Sequence, residues 1–142
     1  MVVSLSAKWV LTVLLSVSNA MRNAYASHTD FGFLSGVILD NPKAMPSNID
    51  MVFEKRGNFL IGEWKREDED ISLGQKILLK ALADQDKFTV LMIYGYSDDT
   101  GTEVDKFYKV TQDKLVILGN GIEGLKDYID AWYQSSNGVS SP

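Results

Sequence analysis

The feature that most constrains the fold of this sequence is the segment spanning residues 49–65, which contains two runs of strand type separated by a short turn. The first run, 49–55, has the period of two that is typical of a β-strand with one buried face. Arg56-Gly57-Asn58 follows and is typical of a tight connection between antiparallel strands. Residues 59–65 then form a second run of strand type. The segment therefore predicts a β-hairpin.

Other parts of the chain predict helices and further strands. Apolar residues recur at helical spacing in three regions, and Ser72 followed by Gln75 resembles a capping box at the start of the second of these regions. The predicted elements are, in order, a helix over 23–39, the two strands of the hairpin, a helix over 71–85, a buried strand over 88–94, a polar loop over 97–105, strands over 106–110 and 115–118, and a helix over 122–134. The order α-β-β-α-β-β-β-α predicts an α/β (α+β) fold, with a mixed central β-sheet flanked by helices.

Composition excludes several kinds of site. The chain has 142 residues and no cysteine, which excludes disulfide bonds, thiolate zinc sites and a cysteine nucleophile. His28 is its single histidine, so a site built from several histidines is excluded as well. The length is that of one domain, and we place this domain at residues 21–135, before a polar tail at 136–142.

The amino terminus allows three interpretations. Residues 1–20 contain Lys8 before a short apolar run, and Ala24-Tyr25-Ala26 resembles a signal-peptidase site. This segment is a cleaved secretory signal, an upstream extension before a start at Met21, or a native helix. The apolar run is too short for a confident membrane span, so we expect no stable membrane association.

Two carboxylates and one lysine are predicted to converge on the hairpin. Because strand side chains alternate between faces, Glu63 and Lys65 lie on one face, and the short connection places Asp50 across from Glu63. Two carboxylates beside an ammonium group suit a hard divalent cation and a phosphodiester substrate. The plainer alternative is a cross-strand ion pair at the surface of the sheet.

The run from Asn48 through Asp50 to Glu63-Trp64-Lys65 resembles the core of the PD-(D/E)XK, or restriction-endonuclease-like, nuclease superfamily, and especially its small phage-type members. The family pattern is an acidic residue on one strand, a hairpin, and Glu-X-Lys on the next strand, followed by a helix that often carries a glutamine or basic residue near the site. The resemblance covers roughly residues 40–95.

The resemblance implies a nuclease that hydrolyses DNA phosphodiester bonds with Mg²⁺ or Mn²⁺. Asp50 and Glu63 would bind the metal, Lys65 would be the catalytic lysine, and Gln75 would be an accessory group facing the site. Gln75 has a second possible role as the capping-box partner of Ser72. An intracellular location is favoured on this basis, with secretion as the alternative if residues 1–26 are a signal peptide.

The sequence departs from the family pattern at two points. Ile49, rather than proline, precedes Asp50, and no glutamate occurs before Glu54. A third acidic ligand would therefore have to be Asp30 or Asp40, or is absent. These departures motivate an alternative, a non-catalytic relative that binds DNA or protein, and the amino terminus motivates another, a small secreted interaction domain.

Overall charge counts against easy binding of nucleic acid. The formal net charge is -5, whereas nucleic-acid-binding domains usually carry a basic surface. Six basic residues nevertheless fall close in sequence to the predicted site, and they would form a basic rim around it or serve only as solvated surface charges. They are Lys55, Arg56, Lys65, Arg66, Lys76 and Lys80.

Overall fold

A computed structural model of the chain describes residues 29–136. The chain divides into two compact units, residues 1–46 and residues 47–142. The interpretations of residues 1–20 and of the tail after Ser136 fall outside the described residues, and the domain predicted over 21–135 stays a prediction.

In the first unit, the described residues form a short 3-10 helix and turns. The 3-10 helix spans Gly32–Leu34 and ends at Ser35, whose backbone is extended. Gly36 then adopts a φ of 79°, a left-handed conformation that an α-helix does not contain, and its N–H donates to the carbonyl of Pro42 at 3.1 Å. The helix predicted over 23–39 is therefore wrong for residues 29–39, and residues 23–28 lie outside the described part.

The second unit is built on one mixed five-stranded sheet with two helices. Its elements are β1 (Met51–Lys55), β2 (Asn58–Lys65), α1 (Leu73–Ala83), β3 (Phe88–Asp98), β4 (Gly101–Val110), β5 (Leu115–Asn120) and α2 (Gly121–Ser135). The strand order is β1-β2-β3-β4-β5, with β2 and β3 parallel and the other neighbours antiparallel. The predicted α+β class with a mixed sheet is confirmed. Among residues 29–136, no helix is both long and apolar enough to cross a bilayer.

The predicted hairpin is present, and its turn determines the register. Arg56 and Gly57 both have positive φ angles, 50° and 81°, as a type I′ connection requires. Lys55 pairs with Asn58, and Met51 pairs with Gly62 at the far end of the ladder. Asp50 directly precedes β1, and its carboxylate accepts the backbone N–H of Trp64, the residue after Glu63.

The polar loop predicted over 97–105 is instead the end of a second hairpin, in which β3 and β4 are joined by Asp99 and Thr100. Residues 96–103 are exposed on both faces of the sheet, so polar side chains are compatible with strand there. Ser97 and Thr102 share a hydrogen bond of 2.9 Å across the two strands. The absence of apolar alternation in this stretch concealed the strands from pattern analysis.

Each helix covers one face of the sheet. The face against α2, here called the α2 face, buries Leu60, Leu91, Ile93 and Phe107 of the sheet against Leu125 and Trp132 of the helix. The face against α1, here called the α1 face, buries Ile61, Val90, Met92 and Val110 against Leu79. Both clusters contain the large aliphatic and aromatic side chains that a packed core requires.

Candidate active site

Glu63 and Lys65 lie on the α1 face of β2, where they continue the row begun by the buried Ile61. Glu63 is only 5% exposed, and it is the one buried charged side chain among the described residues. Its Oε1 lies 3.6 Å from Nζ of Lys65, whose side chain is 13% exposed. Since a buried carboxylate is costly unless it is paired, the two charges stabilise one another at this end of an otherwise apolar face.

Gln75 completes the environment of Glu63 from the first turn of α1. Ser72 caps the helix, and its side chain accepts a hydrogen bond from the backbone N–H of Gln75 at 3.2 Å. The side chain of Gln75 donates from Nε2 to Oε1 of Glu63 at 2.7 Å. Of the two roles weighed for Gln75, its side chain therefore faces Glu63, and only its backbone takes part in the cap.

Asp50 approaches Glu63 from the residue before β1. Its side chain is exposed, and Oδ2 accepts the backbone N–H of Trp64 at 2.8 Å. This bond fixes the carboxylate at the edge of β2, where its charge acts on Glu63. The structure thus brings Asp50, Glu63, Lys65 and Gln75 together, and the catalytic and metal-binding roles assigned to them stay predictions.

The pKa of Glu63 is raised above its ordinary value. Burial is the largest cause, and the negative charge of Asp50 raises the pKa further, while Lys65 and the hydrogen bonds from Lys65 and Gln75 partly offset both effects. A carboxylate held near a second carboxylate in a poorly solvated position gains more from a bound cation than an exposed carboxylate does.

The donor set suits a hard divalent cation that retains much of its water. Asp50 and Glu63 supply carboxylate oxygens, and Mg²⁺ commonly takes one or two protein carboxylates together with water and substrate oxygens. Among residues 29–136, no group of three or more carboxylate or imidazole side chains is arranged to hold a metal. Asp30 belongs to the first unit, where its carboxylate accepts the N–H of Gly32 at 2.8 Å. A third protein ligand from Asp30 or Asp40 stays a prediction.

No protein-family model, curated protein or solved structure matches this chain. The resemblance to PD-(D/E)XK nucleases therefore stays a prediction. Its support within the molecule is the convergence of two carboxylates, a lysine and a glutamine on one end of β2.

The six basic residues near the site in sequence do not form one rim. Lys55 belongs to β1 but contacts α2, with its Nζ 4.2 Å from the centre of the Tyr133 ring. Arg66 pairs with Glu69 at 3.9 Å. Lys76 and Lys80, by contrast, line a cleft beside α1.

Two tyrosines beside the site were missed by the sequence analysis. Tyr94 is the β3 partner of Lys65, and its ring meets that of Tyr108 edge to face, with centroids 5.8 Å apart. Burial raises the pKa of Tyr94, and Tyr108 raises it further. The parallel pairing of β2 with β3 brings these rings to the site, and nothing in the sequence specifies that pairing.

Acidic side chains border the site beyond the carboxyl end of β2. An open cleft of about 590 Å³ there is lined by four carboxylate residues and by Arg66. The neighbouring carboxyl group of Asp105 raises the pKa of Glu67, through hydrogen bonding first and through its charge second. The four residues are Glu67, Asp68, Glu103 and Asp105. Because these carboxylates outnumber Arg66, this border is unfavourable for phosphate groups.

Proposed function

We propose that this protein is a metal-dependent nuclease that hydrolyses DNA phosphodiester bonds at the site formed by Asp50, Glu63, Lys65 and Gln75. The observation that carries the proposal is the burial of Glu63 at 5% exposure, between the charges of Asp50 and Lys65. A structural ion pair at a sheet surface gains little free energy and has no need of a second carboxylate. A buried carboxylate whose pKa is raised by a second carboxylate is more typical of a functional site.

Each side chain has a distinct role in the proposed reaction. Asp50, held by the N–H of Trp64, and Glu63, held by the amide of Gln75, would bind Mg²⁺ or Mn²⁺. When bound, the metal would supply Lewis-acid stabilisation of charge on the phosphodiester.

Lys65 would place a positive charge beside the scissile phosphate and stabilise negative charge that develops there. Its ammonium group also orients a water molecule by hydrogen bonding, and the apolar residues behind Glu63 limit access of bulk water. Gln75 is a positioning residue, because it acts on the substrate only through Glu63.

The test is cleavage of DNA by the purified chain with Mg²⁺, with Mn²⁺ and with a chelator. We expect cutting only with metal, and a loss of about a hundredfold or more in Glu63→Ala and in Lys65→Ala. Asp127→Ala and Lys109→Ala are matched controls, because both residues are exposed and lie outside the site and its acidic border. Circular dichroism establishes that each variant is folded.

Two results would contradict the proposal. One is cleavage that proceeds equally well in the chelator. The other is cleavage that survives in folded Glu63→Ala and Lys65→Ala while the controls behave as the wild type.

A specific observation favours a second candidate, a non-catalytic binding module. Glu63 already has polar partners in Lys65 and Gln75, and the described residues contain no group of three metal ligands. Such a module would fold normally and give no heat with Mg²⁺ or Mn²⁺ in titration calorimetry, whereas the nuclease would give a heat that Glu63→Ala abolishes.

A further inference from the structure

A cleft on the α1 face joins positive charge to an apolar floor. Three lysines line it, Lys76 and Lys80 from α1 and Lys114 from the turn between β4 and β5. The floor contains Leu79 and Leu115, and no acidic residue lines the cleft. Its volume is about 250 Å³. We call it the basic cleft.

The three ammonium groups of the basic cleft are available to a ligand. All three lysines are exposed, and within residues 29–136 none of them forms an ion pair with a carboxylate. Lys76 and Lys80 are four positions apart on α1 and therefore lie on one side of the helix. In a chain of net charge -5, three unpaired cations around one depression are a local reversal of charge.

The turn that carries Lys114 is held rigidly. The side chain of Thr111 donates to the carbonyl of Lys114 at 2.8 Å and accepts the N–H of Lys114 at 3.1 Å. A preorganised turn lowers the entropic cost of placing Lys114 on a ligand.

The basic cleft adjoins the proposed active site. Met92 lines the cleft, and it is the β3 partner of Glu63 in the parallel register of β2 and β3. A nucleic-acid strand at Glu63 therefore has the lysines of the basic cleft beside it. Glu67 and Asp105 lie in a neighbouring depression that shares Leu115 with this cleft, so the favourable contacts for phosphate are on the lysine side.

We propose that the basic cleft holds a single-stranded segment of the DNA substrate, with phosphates on Lys76, Lys80 and Lys114 and an unstacked base against the apolar floor. This inference rests on the proposed nuclease function and specifies the form of its substrate. Charge complementarity places the phosphates on the lysines. Leu115, which is 40% exposed, offers an apolar contact that an unpaired base can reach and that a base stacked inside a duplex cannot.

Salt-dependent binding tests the phosphate contacts. The full chain is titrated into fluorescein-labelled oligothymidylate, with a chelator present so that no cutting occurs. Each phosphate contact in a single strand contributes about 0.7 to the magnitude of the slope of log affinity against log salt concentration. Lys76→Gln/Lys80→Gln should therefore lower this magnitude by about 1.4, and adding Lys114→Gln should lower it by about 2.1 in all. The matched control is Lys109→Gln/Lys126→Gln, since Lys109 pairs with Leu91 on the α2 face and Lys126 lies on α2.

A second variant tests the contact with the base. Leu115→Thr keeps a residue suited to a strand and removes apolar surface from the floor. We expect it to weaken binding of the oligothymidylate severalfold with the salt slope unchanged, because no phosphate contact is lost. Wild-type protein should also bind the single strand more tightly than a duplex of the same length.

The outcomes separate this inference from the proposed function. The cleft assignment would be overturned if the wild-type protein cuts DNA with metal but the triple lysine variant has the same salt dependence of binding as the wild type. The proposed nuclease function would then stand. Equal affinity for single strand and duplex, or binding to vesicles of anionic phospholipid without binding to oligothymidylate, would also overturn it. A lysine-dependent slope in a protein that never cuts DNA would support the cleft and overturn the nuclease.

Discussion

The two faces of the same sheet are packed with different chemistry. The α2 face is closed by apolar side chains, with Phe107 at 1% exposure at its centre. The α1 face has a comparable apolar cluster, but this cluster stops at the end of β2, where the buried Glu63 and its partner Lys65 replace apolar side chains. Because burying charge costs free energy that burying leucine does not, we infer that the α2 face contributes more to stability and that the α1 face gives up some stability at the proposed site.

The largest expected effect on stability comes from a substitution in the apolar core of the α2 face. Phe107→Ala should lower the free energy of unfolding by about 3–5 kcal/mol, because the ring is fully buried and packs against Tyr128. Urea denaturation measures the change. Phe53→Ala is the matched control, since Phe53 belongs to β1 and is 40% exposed. An equal loss in the two variants would show that the α2 face does not dominate stability.

The next largest effect is the stabilisation expected when a metal ion binds at Glu63 on the α1 face. Mg²⁺ at about a hundred times its dissociation constant should raise the free energy of unfolding by about 2.7 kcal/mol, since it binds the folded state alone. Thermal denaturation with and without the ion measures this. Glu63→Gln should abolish the increase, and Asp127→Asn, at an exposed position on α2, should retain it. An increase of the same size in Glu63→Gln would contradict metal binding at Glu63.

A smaller effect isolates the cost of the buried charge. Without metal, Glu63→Gln should be more stable than the wild type by about 1 kcal/mol at neutral pH, because the neutral amide keeps the shape and avoids burial of charge. The pKa of Glu63 is raised in the folded state, so the wild-type carboxyl is protonated in both states at acidic pH and the advantage of the variant vanishes there.

The advantage of Glu63→Gln should therefore appear as the pH rises from the ordinary pKa of a glutamate through the raised value in the folded protein. Urea denaturation over a series of pH values follows it. A variant that is less stable than the wild type at neutral pH would mean that Lys65 and Gln75 more than offset the cost of burial.

The smallest effect compares the buried ion pair with an exposed one. Lys126 and Glu123 on α2 approach to 2.9 Å, closer than Lys65 and Glu63, but both side chains are more than half exposed. Lys126→Gln should change the free energy of unfolding by at most about 0.5 kcal/mol, because solvent screens the exposed pair. A larger loss would show that the distance between the two charges, rather than their burial, determines how much each ion pair contributes to stability.

The site was predictable from the sequence because its geometry is local. The turn at Arg56-Gly57 determines the register of β1 and β2, and alternation along the strands then places Asp50, Glu63 and Lys65 on one face. The capping residue Ser72 likewise marks the start of α1 and so the position of Gln75. These features depend on neighbours in the chain rather than on the tertiary fold.

The features that escaped prediction depend on tertiary structure or on single backbone angles. The parallel pairing that brings Tyr94 beside Lys65 joins strands separated by a helix, and alternation within either strand does not encode it. Apolar spacing favoured a helix through Gly36, but the positive φ of this residue is incompatible with an α-helix there. Exposure of both faces of residues 96–103 removed the apolar signal of the second hairpin.

The polar side chains of the site all come from the continuous stretch between Asp50 and Gln75, whereas part of its surroundings comes from a later strand. Met92 on β3 is 1% exposed and is the register partner of Glu63. We therefore expect a substitution at Met92 to change the pKa of Glu63 by changing how well its carboxylate is solvated, while its polar partners Lys65 and Gln75 stay in place. The proton affinity of a buried acid can thus depend on a neighbour that has no titratable group of its own.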